Sequence, residues 1–82
     1  MPTRIQSLKQ LKELARKGCD CFILLNGHLR SSKHIHYDED SKKFEIFNYI
    51  DDTEQTLTEK QLMEKDYTNI GYAMTRGALF MD

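Results

Sequence analysis

The chain has 82 residues, of which 30% are charged, and its formal net charge is −1. This length is enough for one small domain, which we place at residues 1–82, with a modest core. No apolar run approaches the ~20 residues of a membrane-spanning helix, and the first six residues, MPTRIQ, form no hydrophobic signal region. The sequence therefore predicts a cytoplasmic protein that does not enter the membrane.

The N-terminal segment has the pattern of an amphipathic helix. Thr3 with Gln6 fits a capping box, and Ser7 offers a second N-cap. Gly18 is suited to end the helix. Apolar residues recur at the three- and four-residue spacing of one buried helix face, namely Ile5, Leu8, Leu11, Leu14 and Ala15. We predict a helix over about residues 4–17.

The stretch from Cys19 to Ile50 is dense in β-forming residues and predicts a three-stranded antiparallel meander. Asn26-Gly27 tolerates positive φ at both central positions of a tight hairpin turn, which pairs Leu24 with Leu29. The same register places Asp20 opposite Lys33 and Cys19 opposite His34. A second turn at residues 39–42 pairs Tyr37 with Phe44 and Ile35 with Ile46.

Side-chain alternation along these strands divides the sheet into two faces. The predicted core face contains Phe22, Leu24, Leu29, Ile35, Tyr37, Phe44 and Ile46. The opposite face is mixed and includes Cys19, Cys21, Ile23, His34, His36, Phe47 and Tyr49. A shift of one residue at the first hairpin would exchange the faces of the first strand.

The remaining residues favour short helical segments. Residues 51–55 are acidic and resemble a turn, Thr58 with Gln61 forms a capping box, and Asn69 caps a last helix that Gly77 ends. We predict an α+β fold with an N-terminal helix, a three-stranded antiparallel β-meander and short C-terminal helical segments. The apolar tail Leu79, Phe80 and Met81 is predicted to be buried, either on the body of the protein or in a homodimer interface.

Several segments resemble small uncharacterised proteins encoded in phages and mobile elements of Gram-positive bacteria. They are residues 23–27 (ILLNG), 29–33 (LRSSK), 50–55 (IDDTEQ), 57–59 (LTE), 69–71 (NIG) and 76–79 (RGAL). The resemblance implies a bacterial cytosolic setting and an accessory or host-directed role. It implies no activity and no functional residues.

Metal-binding and catalytic patterns are weak in this sequence. Cys19, Cys21, His34 and His36 would share one face in the predicted register, yet flat-strand spacing suits a tetrahedral zinc site poorly. The serines and cysteines have no glycine-rich loop or nucleophile elbow around them. We therefore predict no catalytic residue, no metal and no cofactor.

Charge is unevenly distributed along the chain. Residues 1–43 contain nine Lys or Arg against five acids, whereas residues 44–82 contain three against eight. Such asymmetry is typical either of a basic surface for an anionic partner or of two halves that pack with complementary charge.

A candidate interaction surface follows from the mixed face and the basic run beside it. It comprises Arg30, Ser32, Lys33, His34, Phe47 and Tyr49. The leading hypothesis is a non-enzymatic protein-interaction or accessory protein of a mobile element or phage, acting on a host protein as a regulator or inhibitor. The competing hypothesis is a nucleic-acid-binding module that uses residues 30–33 with Phe47 and Tyr49. In a third interpretation, the C-terminal helices simply cover Phe47 and Tyr49.

Overall fold

The computed structural model describes residues 2–64 and 69–82, without the side chains of Arg30 and Ser31. In chain order the elements are β1 (Thr3–Ile5), α1 (Leu8–Ala15), β2 (Cys19–Leu25), β3 (His28–Asp38), β4 (Lys43–Asn48), β5 (Thr53–Thr58), α2 (Glu59–Leu62), α3 (Ile70–Thr75) and β6 (Leu79–Met81). Within these residues no helix is long and apolar enough to cross a membrane.

The strands of the described residues form one six-stranded antiparallel sheet in the order β1-β6-β2-β3-β4-β5. The predicted α+β fold built on a three-stranded meander is therefore wrong. The meander exists as β2, β3 and β4, but β5 extends it on one side and β6 and β1 extend it on the other. Most of the architecture is sheet, and the helices are short.

The N-terminal helix is shorter than predicted because its first residues belong to a strand. Ser7, not Thr3, is the N-cap, and its Oγ accepts a hydrogen bond from the backbone N–H of Gln10 at 3.2 Å. Ile5 pairs with Leu79 of β6 and is fully buried as a strand residue. Ile5, which suggested a buried helix face, is thus buried as part of the sheet instead.

The first hairpin turn is confirmed, but the strands it joins contain a bulge. Asn26 and Gly27 have φ values of 55° and 76°, and Leu24 lies opposite Leu29 as predicted. The register then shifts, so that Ile23 lies opposite Ser31 and Arg30 is the extra residue of β3.

The bulge exchanges the faces of β2 relative to the prediction. Cys19, Cys21 and Ile23 lie in the core, whereas Phe22, Leu24 and Leu29, which were assigned to it, lie on the opposite face. The predicted cross-strand pairs Asp20–Lys33 and Cys19–His34 are wrong for the same reason. Cys21 lies opposite Lys33, and Asp20 lies opposite His34.

The second hairpin is confirmed, and the strand after it corrects a predicted turn. Tyr37 lies opposite Phe44 with ring centroids 4.8 Å apart, and Ile35 lies opposite Ile46. The turn predicted at residues 51–55 is wrong in its second half, because β5 begins at Thr53 and pairs along its whole length with β4. Its polar composition fits an edge strand.

All three helices of the described chain cover the same face of the sheet. The predicted caps of the later two are confirmed: Thr58 and Gln61 form a reciprocal capping box, and the Asn69 side chain accepts from Tyr72 N–H. The core between helices and sheet contains Ile5, Leu11, Ala15, Cys19, Cys21, Ile23, Ile35, Tyr37, Phe44, Ile46, Leu62, Ile70, Ala73, Met74, Leu79 and Met81.

The C-terminal tail is a strand inside the sheet. β6 lies between β1 and β2, with Phe80 opposite Arg4 on one side and Phe22 on the other. Leu79 and Met81 are 0% and 1% exposed, whereas Phe80 is half-buried on the opposite face. The burial expected for the tail is thus found within the chain for Leu79 and Met81.

Because side chains alternate between the two faces along β6, replacement of Leu79 or of Phe80 by alanine should lower the free energy of unfolding by different amounts. Leu79→Ala is expected to lower the free energy of unfolding by about 2–5 kcal/mol, because it leaves a cavity in the core. Phe80→Ala, on the other face, should lower the free energy of unfolding clearly less. Urea denaturation followed by circular dichroism measures both values. Because β6 docks within the chain, the difference between the variants should not change with protein concentration, and equal losses would contradict the assigned faces.

Candidate interaction face

The sheet face opposite the helices carries no buried side chain among the residues that the structure describes. We call it the open face. Strand register and alternation assign to it Arg4, Asp20, Phe22, Leu24, Leu29, Ser32, His34, His36, Asp38, Lys43, Glu45, Phe47, Tyr49, Glu54, Thr56, Thr58 and Phe80. Leu29 and Tyr49 are the most exposed large apolar side chains of this set, at 61% and 49%. The open face is therefore an accessible surface with apolar content.

Two aromatic pairs occupy the centre of the open face. The rings of Phe22 and Phe80 stack across neighbouring strands with centroids 6.4 Å apart, and Phe47 and Tyr49 meet edge to face at 5.3 Å. Ser32 lies between the pairs, since it is opposite Phe22 in the register and its carbonyl accepts from Tyr49 N–H. These four rings, from β6, β2 and the end of β4, together with Ser32 of β3 between them form what we call the aromatic band.

A hydrogen bond between side chains fixes the exposed tyrosine. The Tyr49 hydroxyl donates to Asp20 Oδ1 at 2.7 Å and so connects the end of β4 to β2 across β3. This bond raises the pKa of Tyr49, because the neutral phenol donates to the carboxylate and its anion would be repelled by it. The hydrogen bond therefore holds the neutral Tyr49 ring against Asp20.

Carboxylates flank the aromatic band. One row of cross-strand neighbours on β2, β3, β4 and β5 contains, in this order, Asp20, His34, Phe47 and Glu54. In the next row His36 Nδ1 lies 3.6 Å from Glu45 Oε1, a pair that becomes ionic when the histidine is protonated. Among the described side chains of the open face, the permanent cations are Arg4 and Lys43, against the four carboxylates of Asp20, Asp38, Glu45 and Glu54. The electrostatic character of this face is therefore acidic.

The structure separates the residues predicted for the interaction surface. Ser32, His34, Phe47 and Tyr49 lie together on the open face. The helices pack on the other side, so the interpretation that they cover Phe47 and Tyr49 is wrong.

Lys33 does not belong to the open face. It is 8% exposed and lines a cavity of about 230 Å³ on the helix side, together with Ile46, Leu62 and Ile70. The side chain of Arg30 lies outside the described atoms. The basic run of the sequence is therefore not a continuous patch on the open face.

Sequence reasoning missed Phe22 and Phe80 as residues of this surface. Phe22 was assigned to the core because the bulge at Arg30 was not recognised, and Phe80 was treated as part of a buried tail. Leu79, Phe80 and Met81 are all apolar, so the sequence of the tail contains no polar alternation that would have separated Phe80 from its two neighbours.

The cysteines and histidines do not share a face. Cys19 lies opposite Ile35 on the helix side, and its thiol contacts the carbonyl oxygen of Asp82 at 2.6 Å. His34 and His36 are on the open face. The described residues contain no group of three or more His, Cys, Asp or Glu side chains placed to hold a metal ion.

Burial makes the Cys21 thiol hard to ionise. Cys21 is 0% exposed beneath the helices. This desolvation raises its pKa from 9.0 to about 12, although Lys33 opposite it acts in the other direction. The neutral thiol therefore behaves as a small apolar core group, because only the thiolate is strongly nucleophilic.

Comparison of the chain with protein-family models, with curated proteins and with solved structures finds no match.

The raised pKa of Cys21 predicts a loss of stability at alkaline pH. Below pH 9.0 the thiol is protonated in both states, and between 9.0 and about 12 only the unfolded chain releases the proton. The free energy of unfolding should therefore fall through that window, by up to about 1.4 kcal/mol per pH unit from this group. Urea denaturation at several pH values measures the slope.

Two substitutions on β2 isolate the contribution of Cys21 to this slope. Cys21→Val removes the titrating group and should make the fall shallower. Ile23→Val, a buried change on the same strand without a titrating group, should shift the whole curve and leave its slope unchanged. Identical slopes for both variants would exclude Cys21 as the source.

Proposed function

We propose that this chain is a non-enzymatic interaction protein and that its open face binds a partner protein. The observation that carries the proposal is the aromatic band on a sheet face that no helix of the described chain covers. A solvated face of an antiparallel sheet ordinarily carries polar side chains between the inward ones. Here β6, β2 and β4 contribute Phe or Tyr side chains at its centre, with Tyr49 directly after β4. Apolar patches rimmed by polar groups are typical of protein-interaction sites.

The side chains of the band are suited to the centre of an interface. Phe and Tyr are enriched in protein interfaces, and they lose little conformational entropy when they are already held in place. Tyr49 is held by Phe47 and by Asp20, yet about half of its surface remains exposed. Binding can therefore bury apolar area without first ordering the ring.

Charge defines the chemistry of the partner. The carboxylates of Asp20, Glu45 and Glu54 flank the band, so a partner with an apolar centre and Lys or Arg at its rim would be complementary. Such complementarity increases association rates and selects against acidic partners. The accessory or inhibitory role in a phage or mobile element stays a prediction from the sequence resemblance.

Nucleic acid is the second candidate, because aromatic side chains on an open sheet also stack on unpaired bases. Affinity for nucleic acid depends mainly on cations that neutralise phosphates. Lys33, one of the two cations predicted for this role, lies on the helix side, and four carboxylates against two permanent cations occupy the open face. The charge of the described side chains therefore favours a protein partner.

Removal of two rings from the band should weaken partner binding. The immobilised chain is used to capture proteins from a bacterial lysate, and the captured protein is then purified and titrated by calorimetry. Phe22→Ser combined with Phe47→Ser should weaken binding at least roughly tenfold, because interface aromatics contribute 1 kcal/mol or more each. Far-UV circular dichroism verifies that the variant is folded.

Ile50→Ser is the matched control for the aromatic variant. Ile50 is 66% exposed in the turn between β4 and β5, so the change removes an exposed apolar side chain outside the open face. This variant should bind like the unmodified chain. Equal binding by all three proteins would refute the proposed site.

Charge reversal on the open face distinguishes the two candidate functions. Glu45→Lys combined with Glu54→Lys should weaken binding of a basic protein partner, because it replaces attraction with repulsion. The same change should strengthen binding to short single-stranded DNA or RNA and steepen its salt dependence. Tight, salt-sensitive binding of the unmodified chain to these oligonucleotides, lost in Phe47→Ser, would favour nucleic acid over the proposal.

A further inference from the structure

A row of polar residues interrupts the helix-side face of the sheet. Lys33, Asn48 and Thr53 lie opposite one another on β3, β4 and β5, whereas the next row along β3 and β4 contains the core residues Ile35 and Ile46. Lysine is seldom buried, yet Lys33 is only 8% exposed. Polar groups withdrawn from water lower stability unless other groups satisfy them. The row is therefore better suited to a binding site than to core packing.

A cavity of about 230 Å³ adjoins this polar row. Leu62 of α2 and Ile70 of α3 line it on the side of the helices. The volume far exceeds the space that one buried water needs. It is also smaller than the roughly 300–1,000 Å³ of pockets for drug-sized ligands. The cavity therefore fits a small molecule.

Two asparagines that line the cavity have their amide groups oriented by the backbone. Asn48 Oδ1 accepts from Ile50 N–H at 2.9 Å, and Asn69 Oδ1 accepts from Tyr72 N–H at 3.2 Å. Since an amide side chain has one oxygen and one NH2 group, these bonds leave the Nδ2 group of each asparagine to donate to a ligand. With the ammonium group of Lys33, they form a donor set suited to a carboxylate.

Asp51 adds the opposite charge to the lining of the same cavity. Its Oδ1 accepts from the Thr53 hydroxyl, which holds the carboxylate at the β5 end of the polar row. Lys33 lies at the β3 end. The lining thus combines a cation, an anion and the apolar side chains of Leu62 and Ile70.

We propose that this cavity binds a small apolar α-amino acid. The carboxylate of the ligand lies at Lys33 and Asn48, and its ammonium group lies at Asp51. Its side chain packs against Leu62 and Ile70. A zwitterion matches both charges of the lining, whereas a simple acid or a simple amine matches one. The proposal is independent of the function of the open face, because the cavity lies on the other side of the sheet.

NMR titration of the isotope-labelled chain with L-leucine tests the proposal. The backbone amide signals of Asn48, Thr53 and Ile70 should shift and saturate, because these residues line the cavity. Two analogues of leucine each lack one charge: isocaproate has no ammonium group, and isoamylamine has no carboxylate. Each should bind at least roughly tenfold more weakly than leucine, because hydrogen bonds to charged groups are the strong ones.

Two variants each remove one charge of the lining. Lys33→Met retains an unbranched side chain and should weaken the binding of leucine and of isocaproate alike, at least roughly tenfold. Asp51→Asn should weaken leucine by a similar factor and leave isocaproate unchanged or bound more tightly. Lys9→Met and Asp40→Asn, which are exposed changes outside the lining, are the matched controls and should bind leucine like the unmodified chain.

Asn48→Asp provides a test that does not require the loss of Lys33. The new carboxylate can still accept from Ile50 N–H, but it replaces a donor by a negative charge and should weaken leucine at least roughly tenfold. Far-UV circular dichroism verifies that each variant is folded.

Three results would overturn this assignment. The first is the absence of shifts at the three lining residues with millimolar leucine. The second is isocaproate or isoamylamine that binds as tightly as leucine, which would assign the cavity to a simple acid or a simple amine. The third is leucine affinity that is the same in the folded lining variants as in their controls.

Discussion

The extra residue in β3 determines which side chains become core and which become surface. The tight turn at Asn26-Gly27 aligns Leu24 with Leu29, and without the bulge at Arg30 the alternation would continue from that pair. Phe22 would then face the helices, and the thiols would face solvent. With the bulge, Cys21 and Ile23 join Ile35 in the core. Because side chains alternate strictly along a strand, one inserted residue changes the assignment of the whole of β2.

Turns, hairpin pairs and helix caps were predictable from the sequence, because a few nearby residues determine each of them. The Asn-Gly turn, the pairing of Tyr37 with Phe44 and the caps at Thr58 and Asn69 all depend on residues within a few positions of each other. The strands β1, β5 and β6 were not predicted. Two have only three residues and the third is mostly polar, so their structure depends on neighbours distant in the chain rather than on a periodic pattern.

The candidate site was predictable in part, for the same physical reason. His34 and Phe47 are neighbours across β3 and β4, a pairing that the second turn determines locally. The stack of Phe22 on Phe80 requires both the bulge and the insertion of the C-terminal strand beside β2, and neither has a strong local signal. Lys33 was misplaced because it was grouped with its neighbours in the basic run, although alternation from Ile35 places it on the helix side, where a basic residue is uncommon.

The uneven distribution of charge along the sequence becomes a difference between the two sides of the molecule. Cations of α1 remain on the helix side, where Lys12 pairs with Glu59 at 3.0 Å and Arg16 with Glu39 at 2.6 Å. The first of these pairs joins the basic and acidic halves, as complementary packing requires. The acids Glu45 and Glu54 have no such cation opposite them in the strand register, because their neighbours there are His36, Thr56 and Phe47. Helix-side acids are thus partly neutralised within the chain, whereas on the open face four carboxylates outnumber the permanent cations Arg4 and Lys43 beside the aromatic band. This combination favours binding of a partner protein on the sheet side rather than on the helix side.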